Sequence, residues 1–278
     1  MNEEEENIIL RRITDATCTV LREAELYLPP DVKNRLHNAY TSEKNPVARR
    51  ELENILKNIA IAEEREMPLC QDTGVPVIFM TIPKKIPFSD SLLEAVRDGV
   101  RKATKVIPLR PNIVDPQSRH NSGDNTGIGM PPIHVEPGET LTITAFPKGA
   151  GSENVSQIFM LNPSDLTKID DIIVKTVLDA GARPCPPVIL GIGIGGTFDG
   201  AALLAKKALL DPVDTMTTHE EELLNRINHL GIGPMGLGGE TTALAVKIRT
   251  AGCHTASLPL AINIQCWASR HATITLDL

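Results

Sequence analysis

The chain has 278 residues, of which 41% are hydrophobic, and a formal net charge of -7 at pH 7. This length and balance predict a soluble protein with its own core, and they argue against a nucleic-acid surface or a basic membrane anchor. The N-terminal sequence MNEEEEN lacks an apolar leader, and no later stretch is apolar enough to span a bilayer, so we expect a cytoplasmic protein with no membrane or nucleic-acid partner.

The first sixty residues predict helices, because apolar residues recur at helical spacing on both sides of Pro29 and Pro30. The segment PLCQDTG then leads into VPVIFMTI, an apolar run typical of a buried strand, so Cys70 is predicted on a loop at the start of a strand. A helix is predicted over residues 89–107. The polar segment 108–132 is too long for an ordinary connection and is interpreted as a functional loop.

The second half alternates between strand and helix patterns. TLTITAF predicts a strand followed by the turn PKGAGSEN, and RPCPPVILGIGIGG predicts a strand that enters a glycine-rich turn. Helices are predicted over residues 168–182, 199–210 and 218–230. The fold class is therefore mixed α/β, with N-terminal helices followed by a small mixed β-sheet surrounded by helices, in one domain over residues 1–278. The loop at 108–132 is the only plausible internal boundary.

The glycines at positions 191, 193 and 196 match the spacing G-x-G-x-x-G between a strand and a helix, where a dinucleotide can bind. This gives an alternative function, an NAD-binding oxidoreductase domain. Asp211 lies about 20 residues further on, but it follows a helix and no second strand leads to it. Close packing of strand and helix explains the glycines at least as well. An aspartic-protease reading of Asp72-Thr73-Gly74 has little support, because no partner carboxylate is evident.

The cysteines are odd in number and dispersed, which predicts reduced thiols, some of them potential metal ligands, and no disulfide framework. They are Cys18, Cys70, Cys185, Cys253 and Cys266. For any single cysteine, burial as a small hydrophobic residue is the usual role. Their spacing matches no compact ferredoxin pattern, so spacing alone leaves both roles open.

A series of motifs between about residues 65 and 270 resembles class I fumarate hydratases and the closely similar L(+)-tartrate dehydratases. In chain order they are PLCQDTG, NSGDNTG, PKGAGSEN, CPPVILGIGIGGT, GIGPMGLGGETTALAVKI, HTASLP and QCWASR. In that family three cysteines bind a 4Fe-4S cluster whose fourth iron has no protein ligand. The resemblance implies that Cys70, Cys185 and Cys266 are these ligands. An open iron can act as a Lewis acid on the C–O bond of the substrate.

The same motifs imply the groups that contact substrate. Gln71 and Asp72 resemble the family's substrate-contacting pair, with Asp72 the candidate for proton transfer and His254 its partner. Arg110 matches the arginine that binds a substrate carboxylate, a task suited to a guanidinium group. Gly149 is expected to present its backbone amide to the substrate, although Ala150 stands where the family usually has glycine. Without the motifs, a structural histidine and a solvated arginine are the ordinary interpretations.

The resemblance implies the alpha subunit of a heteromeric hydro-lyase that interconverts fumarate and malate. A separate beta subunit would supply the base and further cationic residues, because the chain ends before the family's second domain. A dimer of heterodimers is expected. PKGAGSEN favours fumarate hydratase over tartrate dehydratase. An inactive structural subunit without a cluster is the remaining alternative, and packing roles are expected for Cys18 and Cys253.

Overall fold

The computed structural model describes residues 3–277 and confirms the mixed α/β class. Its α-helices are α1 (Glu3–Leu26), α2 (Pro30–Ser42), α3 (Pro46–Arg65), α4 (Asp90–Val106), α5 (Ala150–Glu153), α6 (Ile169–Ala180), α7 (Phe198–Ala208) and α8 (Thr218–Asn228). Its strands are β1 (Val75–Pro83), β2 (Ile133–Gly138), β3 (Leu141–Lys148), β4 (Gln157–Leu161), β5 (Val188–Gly196), β6 (Ala243–Cys253), β7 (Leu258–Gln265) and β8 (Ala272–Leu276).

The chain divides into two compact units. The first comprises Ile59–Lys148 together with the chain up to Leu28 and from Arg270 onward, and the second comprises Pro29–Asn58 and Gly149–Ser269. None of the boundaries between these units lies in the polar loop at 108–132. The sequence had indicated that loop as the only plausible domain boundary. A single hydro-lyase domain over residues 1–278 stays a prediction.

The first unit contains a four-stranded sheet in the order β2-β1-β3-β8. β1 runs parallel to β2 and antiparallel to β3, and β3 runs antiparallel to β8. Helices α1 and α4 pack through apolar stripes at helical spacing, and Ile13, Leu21 and Val96 are fully buried with Ile78 and Ile143 of the sheet. This core fixes the end of α1, where the Glu25 carbonyl oxygen accepts from the Leu69 N–H, and the start of β1, which follows the Cys70 segment.

The second unit contains a four-stranded sheet in the order β4-β7-β5-β6. β5 runs parallel to β6 and antiparallel to β7, and every residue of β7 is buried because this strand lies between two others. Ile173 of α6 and Leu223 of α8 are fully buried against this sheet. Within residues 3–277 no helix is long and apolar enough to cross a membrane.

Candidate active site

Cys185 and Cys266 lie at one edge of the sheet of the second unit. Cys185 precedes β5 and Cys266 follows β7, and these strands are antiparallel neighbours in which Ile189 pairs with Gln265. Since the start of one antiparallel strand faces the end of its neighbour, the two cysteine segments meet. The Trp267 backbone N–H donates a hydrogen bond to the Cys185 carbonyl oxygen at 3.3 Å. The sheet therefore brings two of the three predicted cluster ligands together.

The glycine-rich segment before β6 covers the Cys185 loop. The Met235 backbone N–H donates to the Pro186 carbonyl oxygen at 2.8 Å. Gly236 has a φ of +77°, and a Cβ atom there would clash with the Ala182 side chain. Cys185 itself adopts a positive φ of +54°, which is uncommon for a residue with a side chain. The backbone around Cys185 is thus held in one conformation by its neighbours.

Gly149 is linked to the same edge of the sheet through α5. The Ser152 hydroxyl lies 3.2 Å from the Gly149 carbonyl oxygen and 3.2 Å from Gln265 Oε1, and Gln265 immediately precedes Cys266. Gly149 is the N-cap residue of α5 and has an extended backbone, with φ -72° and ψ 145°. The turn PKGAGSEN therefore forms a short helix in which Ala150 is the first residue.

The segment Cys70–Gly74 in the first unit is an irregular loop before β1, as the sequence predicted. Gln71 is exposed, whereas Cys70 and Asp72 are half-buried. The Gly74 backbone N–H donates to Asp72 Oδ1 at 2.9 Å. Gly74 has a φ of +71°, and a Cβ atom there would lie 2.7 to 2.8 Å from the Lys148 backbone. Only glycine fits this position, so the backbone conformation next to Asp72 depends on Gly74.

Arg110 is held beside this segment by side-chain hydrogen bonds. The Arg110 backbone N–H donates to the buried Thr73 hydroxyl at 3.0 Å, and Asn112 Nδ2 donates to the Gly74 carbonyl oxygen at 2.8 Å. Asn125 is buried and accepts from the Asn112 N–H at 2.7 Å while donating to the Arg110 carbonyl oxygen at 2.9 Å. The first unit thus brings Arg110 and Asp72 together, and the exposed Arg110 side chain is available to an anion.

A buried ion pair lies on the other side of the Asp72 segment. Arg270 Nε is 3.2 Å from Glu25 Oε2, and the two side chains are 3% and 1% exposed. Arg270 Nη2 also donates to the Asp72 carbonyl oxygen at 2.5 Å. Burial raises the pKa of the Glu25 carboxyl to about 7, although Arg270 opposes the shift, and Asp72 adds to it. Burial outweighs the ion pair because both groups are removed from water.

His254 lies at the opposite edge of its sheet from Cys185 and Cys266. It follows Cys253, which pairs with Gly196 at the far end of β5. The length of β5 separates the two edges by about 25 Å. The exposed His254 ring accepts a hydrogen bond from the Ala256 N–H at 3.1 Å and borders an open cavity of about 540 Å³. The second unit therefore does not bring His254 to the cysteines.

The cysteines differ in exposure, and none of the five forms a disulfide. Cys185 is exposed, and Cys70 and Cys266 are half-buried. Cys18 is buried in α1, which confirms its packing role, whereas the packing role expected for Cys253 is wrong because that residue is exposed. In the part of the chain that the structure describes, no group of three or more His, Cys, Asp or Glu side chains is arranged to hold a metal ion.

The G-x-G-x-x-G glycines pack β5 against α7. A Cβ atom on Gly193 would lie 2.7 Å from the Ala205 backbone nitrogen and closer still to the Ala201 carbonyl oxygen. Asp211, the acidic residue of the nucleotide interpretation, accepts hydrogen bonds from Arg249 Nε and Nη2 at 2.8 and 2.5 Å. These contacts favour packing over a nucleotide role for the glycines.

Comparison with known proteins gives the family. A family model described as Fumarate hydratase (Fumerase) matches residues 14–275. The chain belongs to the fumarate hydratase family. Enzymes of this family add or remove water, and the chain is accordingly a hydro-lyase chain.

Relatives of this chain in the fumarate hydratase family are named for two different substrates. It is 50% identical over 274 residues to "Putative L(+)-tartrate dehydratase subunit alpha" of Methanocaldococcus jannaschii, covering 94% of this chain and 96% of that protein. It is 32% identical to "Putative fumarate hydratase class I" of Geobacillus stearothermophilus, covering 96% of this chain and 55% of that protein. It is 27% identical to "L(+)-tartrate dehydratase subunit alpha" of Escherichia coli, covering 99% of this chain and 94% of that protein.

Sequence reasoning missed the residues that hold the candidate site in place. They are Glu25, Thr73, Asn112, Asn125 and Arg270. Thr73 lies inside PLCQDTG, Asn125 inside NSGDNTG and Arg270 at the end of QCWASR, so the motifs contained a signal for these three. Glu25 gave a weaker signal, as a carboxylate on the apolar face of an amphipathic helix.

Proposed function

We propose that this chain is the alpha subunit of a two-subunit fumarate hydratase, which catalyses the reversible hydration of fumarate to L-malate. The observation that carries the proposal is the adjacency of the Cys185 and Cys266 segments, joined by the hydrogen bond from Trp267. Two dispersed cysteines that meet at a sheet edge, on partly exposed loops, support a role as ligands better than a role in packing.

The proposed cofactor is a 4Fe-4S cluster held by Cys70, Cys185 and Cys266. The donor set fits, because thiolates are the ligands of iron–sulfur clusters and none of these thiols is committed to a disulfide. Held by these three cysteines, the cluster would supply Lewis-acid polarisation of the substrate C–O bond.

Four protein groups are proposed to act on the substrate. Arg110 binds one carboxylate of the dicarboxylic acid, Gln71 contacts the substrate, and the Gly149 amide is a further donor. Asp72 transfers the proton that hydration requires, and its orientation is supported by the hydrogen bond that the Gly74 N–H donates to Oδ1.

The proposed role of His254 needs its own test. Its position at the far edge of its sheet means that a substrate beside Cys185 and Cys266 of the same unit lies about 25 Å away. We therefore assign proton transfer to Asp72 and keep participation of His254 as a prediction. His254→Asn is expected to lower kcat for fumarate, and an unchanged kcat would exclude His254 from the reaction.

A separate beta subunit is proposed to complete the site. Two of the relatives are named as alpha subunits, and the Geobacillus relative is considerably longer than the part that this chain matches. These names support a separate partner subunit, and the proposal is that this partner supplies the base and further cationic residues and closes the site. A dimer of heterodimers, with the enzyme in the cytoplasm, is the expected assembly and location.

L(+)-tartrate is the second candidate substrate, favoured by the name of the relative that is 50% identical. Both reactions remove water from a four-carbon dicarboxylate. The test is anaerobic purification of the complex that the tagged chain forms in its own cells, followed by assays with fumarate, L-malate and L(+)-tartrate. Malate formed from fumarate, and lost in Asp72→Asn, is the expected result. Dehydration of tartrate alone would show that tartrate, and not fumarate, is the substrate. The absence of both activities would contradict the proposal.

A further inference from the structure

We propose that the buried Glu25–Arg270 pair positions the Cys70–Asp72 segment, so that Arg270 acts on the reaction through Asp72 without touching the substrate. The inference rests on the proposed function, since it assigns meaning to the placement of Asp72. Nothing in the motif comparison gives Glu25 or Arg270 a role.

The segment is attached to this pair at both of its ends. At one end, the Leu69 backbone N–H donates to the Glu25 carbonyl oxygen at 3.0 Å. At the other end, Arg270 Nη2 donates to the Asp72 carbonyl oxygen while Arg270 Nε faces Glu25 Oε2 at 3.2 Å. Cys70 and Gln71 lie between these two anchors. The last turn of α1 therefore fixes the whole segment.

Guanidinium geometry makes this attachment directional. The nitrogens of arginine lie in one plane, so an arginine that contacts a carboxylate through one edge has its other N–H groups aimed in a set direction. The Asp72 carbonyl oxygen accepts from one of them, which fixes the peptide plane after Asp72. Lysine would keep the charge but could not hold Glu25 and Asp72 in the same relative orientation.

Stability alone is a poor explanation for this pair. Moving two charges out of water carries a penalty that their attraction often fails to recover, and apolar residues of similar volume usually stabilise a core as well. Both side chains are nearly inaccessible, at 1% and 3% exposure. A costly buried pair that touches the backbone of a proposed proton-transfer residue fits a positioning role.

The experiment compares Arg270→Lys and Glu25→Gln with a matched control, Glu220→Gln. Glu220 is also buried, at 5% exposure, and forms an ion pair with Lys247 in the other unit. Two readouts are needed. The first is kcat and KM for fumarate in the complete complex, and the second is hydrogen exchange of a peptide covering residues 69–74 in the full-length chain.

Arg270→Lys is expected to lower kcat by about tenfold or more with KM changed by less than about twofold, because misplacing a catalytic group slows the chemical step. Exchange in residues 69–74 should become about tenfold faster while exchange in α8 stays unchanged. Glu25→Gln should show the same pattern more weakly, since the amide keeps the size of the side chain beside Arg270 and removes only its charge. The control should change neither readout.

Unchanged exchange in residues 69–74 of both variants would overturn the inference, as would faster exchange with normal kcat. A fall in kcat of the same size in Glu220→Gln would also overturn it, because the effect would then reflect general loss of stability. If the wild-type complex hydrates no fumarate, the proposed function fails, and the exchange data alone decide whether the pair positions the segment.

Discussion

Thr73 is the residue at which the segment of Cys70 meets the loop of Arg110. Its buried hydroxyl accepts from the Arg110 backbone N–H at 3.0 Å and lies 3.4 Å from Asn112 Nδ2. A hydroxyl can join two loops in this way because it accepts through two lone pairs. The Thr73 hydroxyl therefore joins the backbone of the Arg110 loop to the segment that carries Asp72.

Replacing Thr73 by valine is expected to lower the free energy of unfolding by about 1 kcal/mol, since it removes the buried hydroxyl that accepts from the Arg110 N–H. Urea unfolding of the chain measures this, and Thr73→Ser serves as the control because it keeps the hydroxyl. KM for fumarate should rise in the valine variant as the Arg110 loop shifts. Equal stabilities for the valine and serine variants would show that the hydroxyl is unimportant.

Glu25 makes stability depend on pH. Burial raises the pKa of this carboxyl from its ordinary value to about 7. Between these two pKa values the folded chain keeps a proton on Glu25 that the unfolded chain has released. This proton stabilises the folded state fully below the ordinary pKa, and its contribution is lost as the pH rises towards 7. Wild type should lose up to about 1.4 kcal/mol of unfolding free energy per pH unit in this range relative to Glu25→Gln. The measurement is the free energy of unfolding of both chains between pH 5 and 8. The same dependence on pH in the two chains would contradict a raised pKa for Glu25.

At the level of elements, β5 and α7 approach so closely that only glycine fits between them. The missing Cβ atoms of Gly191 and Gly193 make room for the carbonyl oxygens of Ala205 and Ala201. Close packing explains the two glycines without a nucleotide, and the third glycine of the pattern, Gly196, has a positive φ of +72° at the end of the strand.

Gly193→Ala is therefore expected to destabilise the chain by about 2 kcal/mol or more through overpacking. Gly252→Ala is the matched control, because that glycine lies in β6 of the same sheet with open space around its Cα atom. Denaturation of both variants measures the difference. Calorimetry of the wild-type chain with NAD should detect no binding, and binding of NAD would restore the nucleotide interpretation.

Local patterns predicted the elements well where their period was clear. The apolar stripe of α1, the buried run of β1 and the strand-turn-helix unit of β5 and α7 all follow from spacing and turn residues. Strands β6 and β7 went unassigned because ALAVKI and LPLAINI are short apolar runs without alternation. Contacts such as Glu25 with Arg270 join residues far apart in the chain, so no local pattern contained them.

For the whole molecule, the proposed cluster ligands are divided between the two units. Cys70 belongs to the first unit, and Cys185 and Cys266 belong to the second. Binding of a cluster to the folded state would stabilise the protein by mass action. Reconstituted chain should therefore melt at a higher temperature than chain without iron, and the difference should vanish in Cys70→Ser.

The most direct test of the account is the iron and acid-labile sulfide content of the full-length chain after anaerobic reconstitution. The account predicts close to four iron and four sulfide per chain. This content should be lost in Cys70→Ser, Cys185→Ser and Cys266→Ser and retained in Cys253→Ser, whose thiol is exposed but lies at the other edge of the sheet. Loss of the cluster in Cys253→Ser, or its retention in any of the other three variants, would contradict the ligand set on which the proposed function depends.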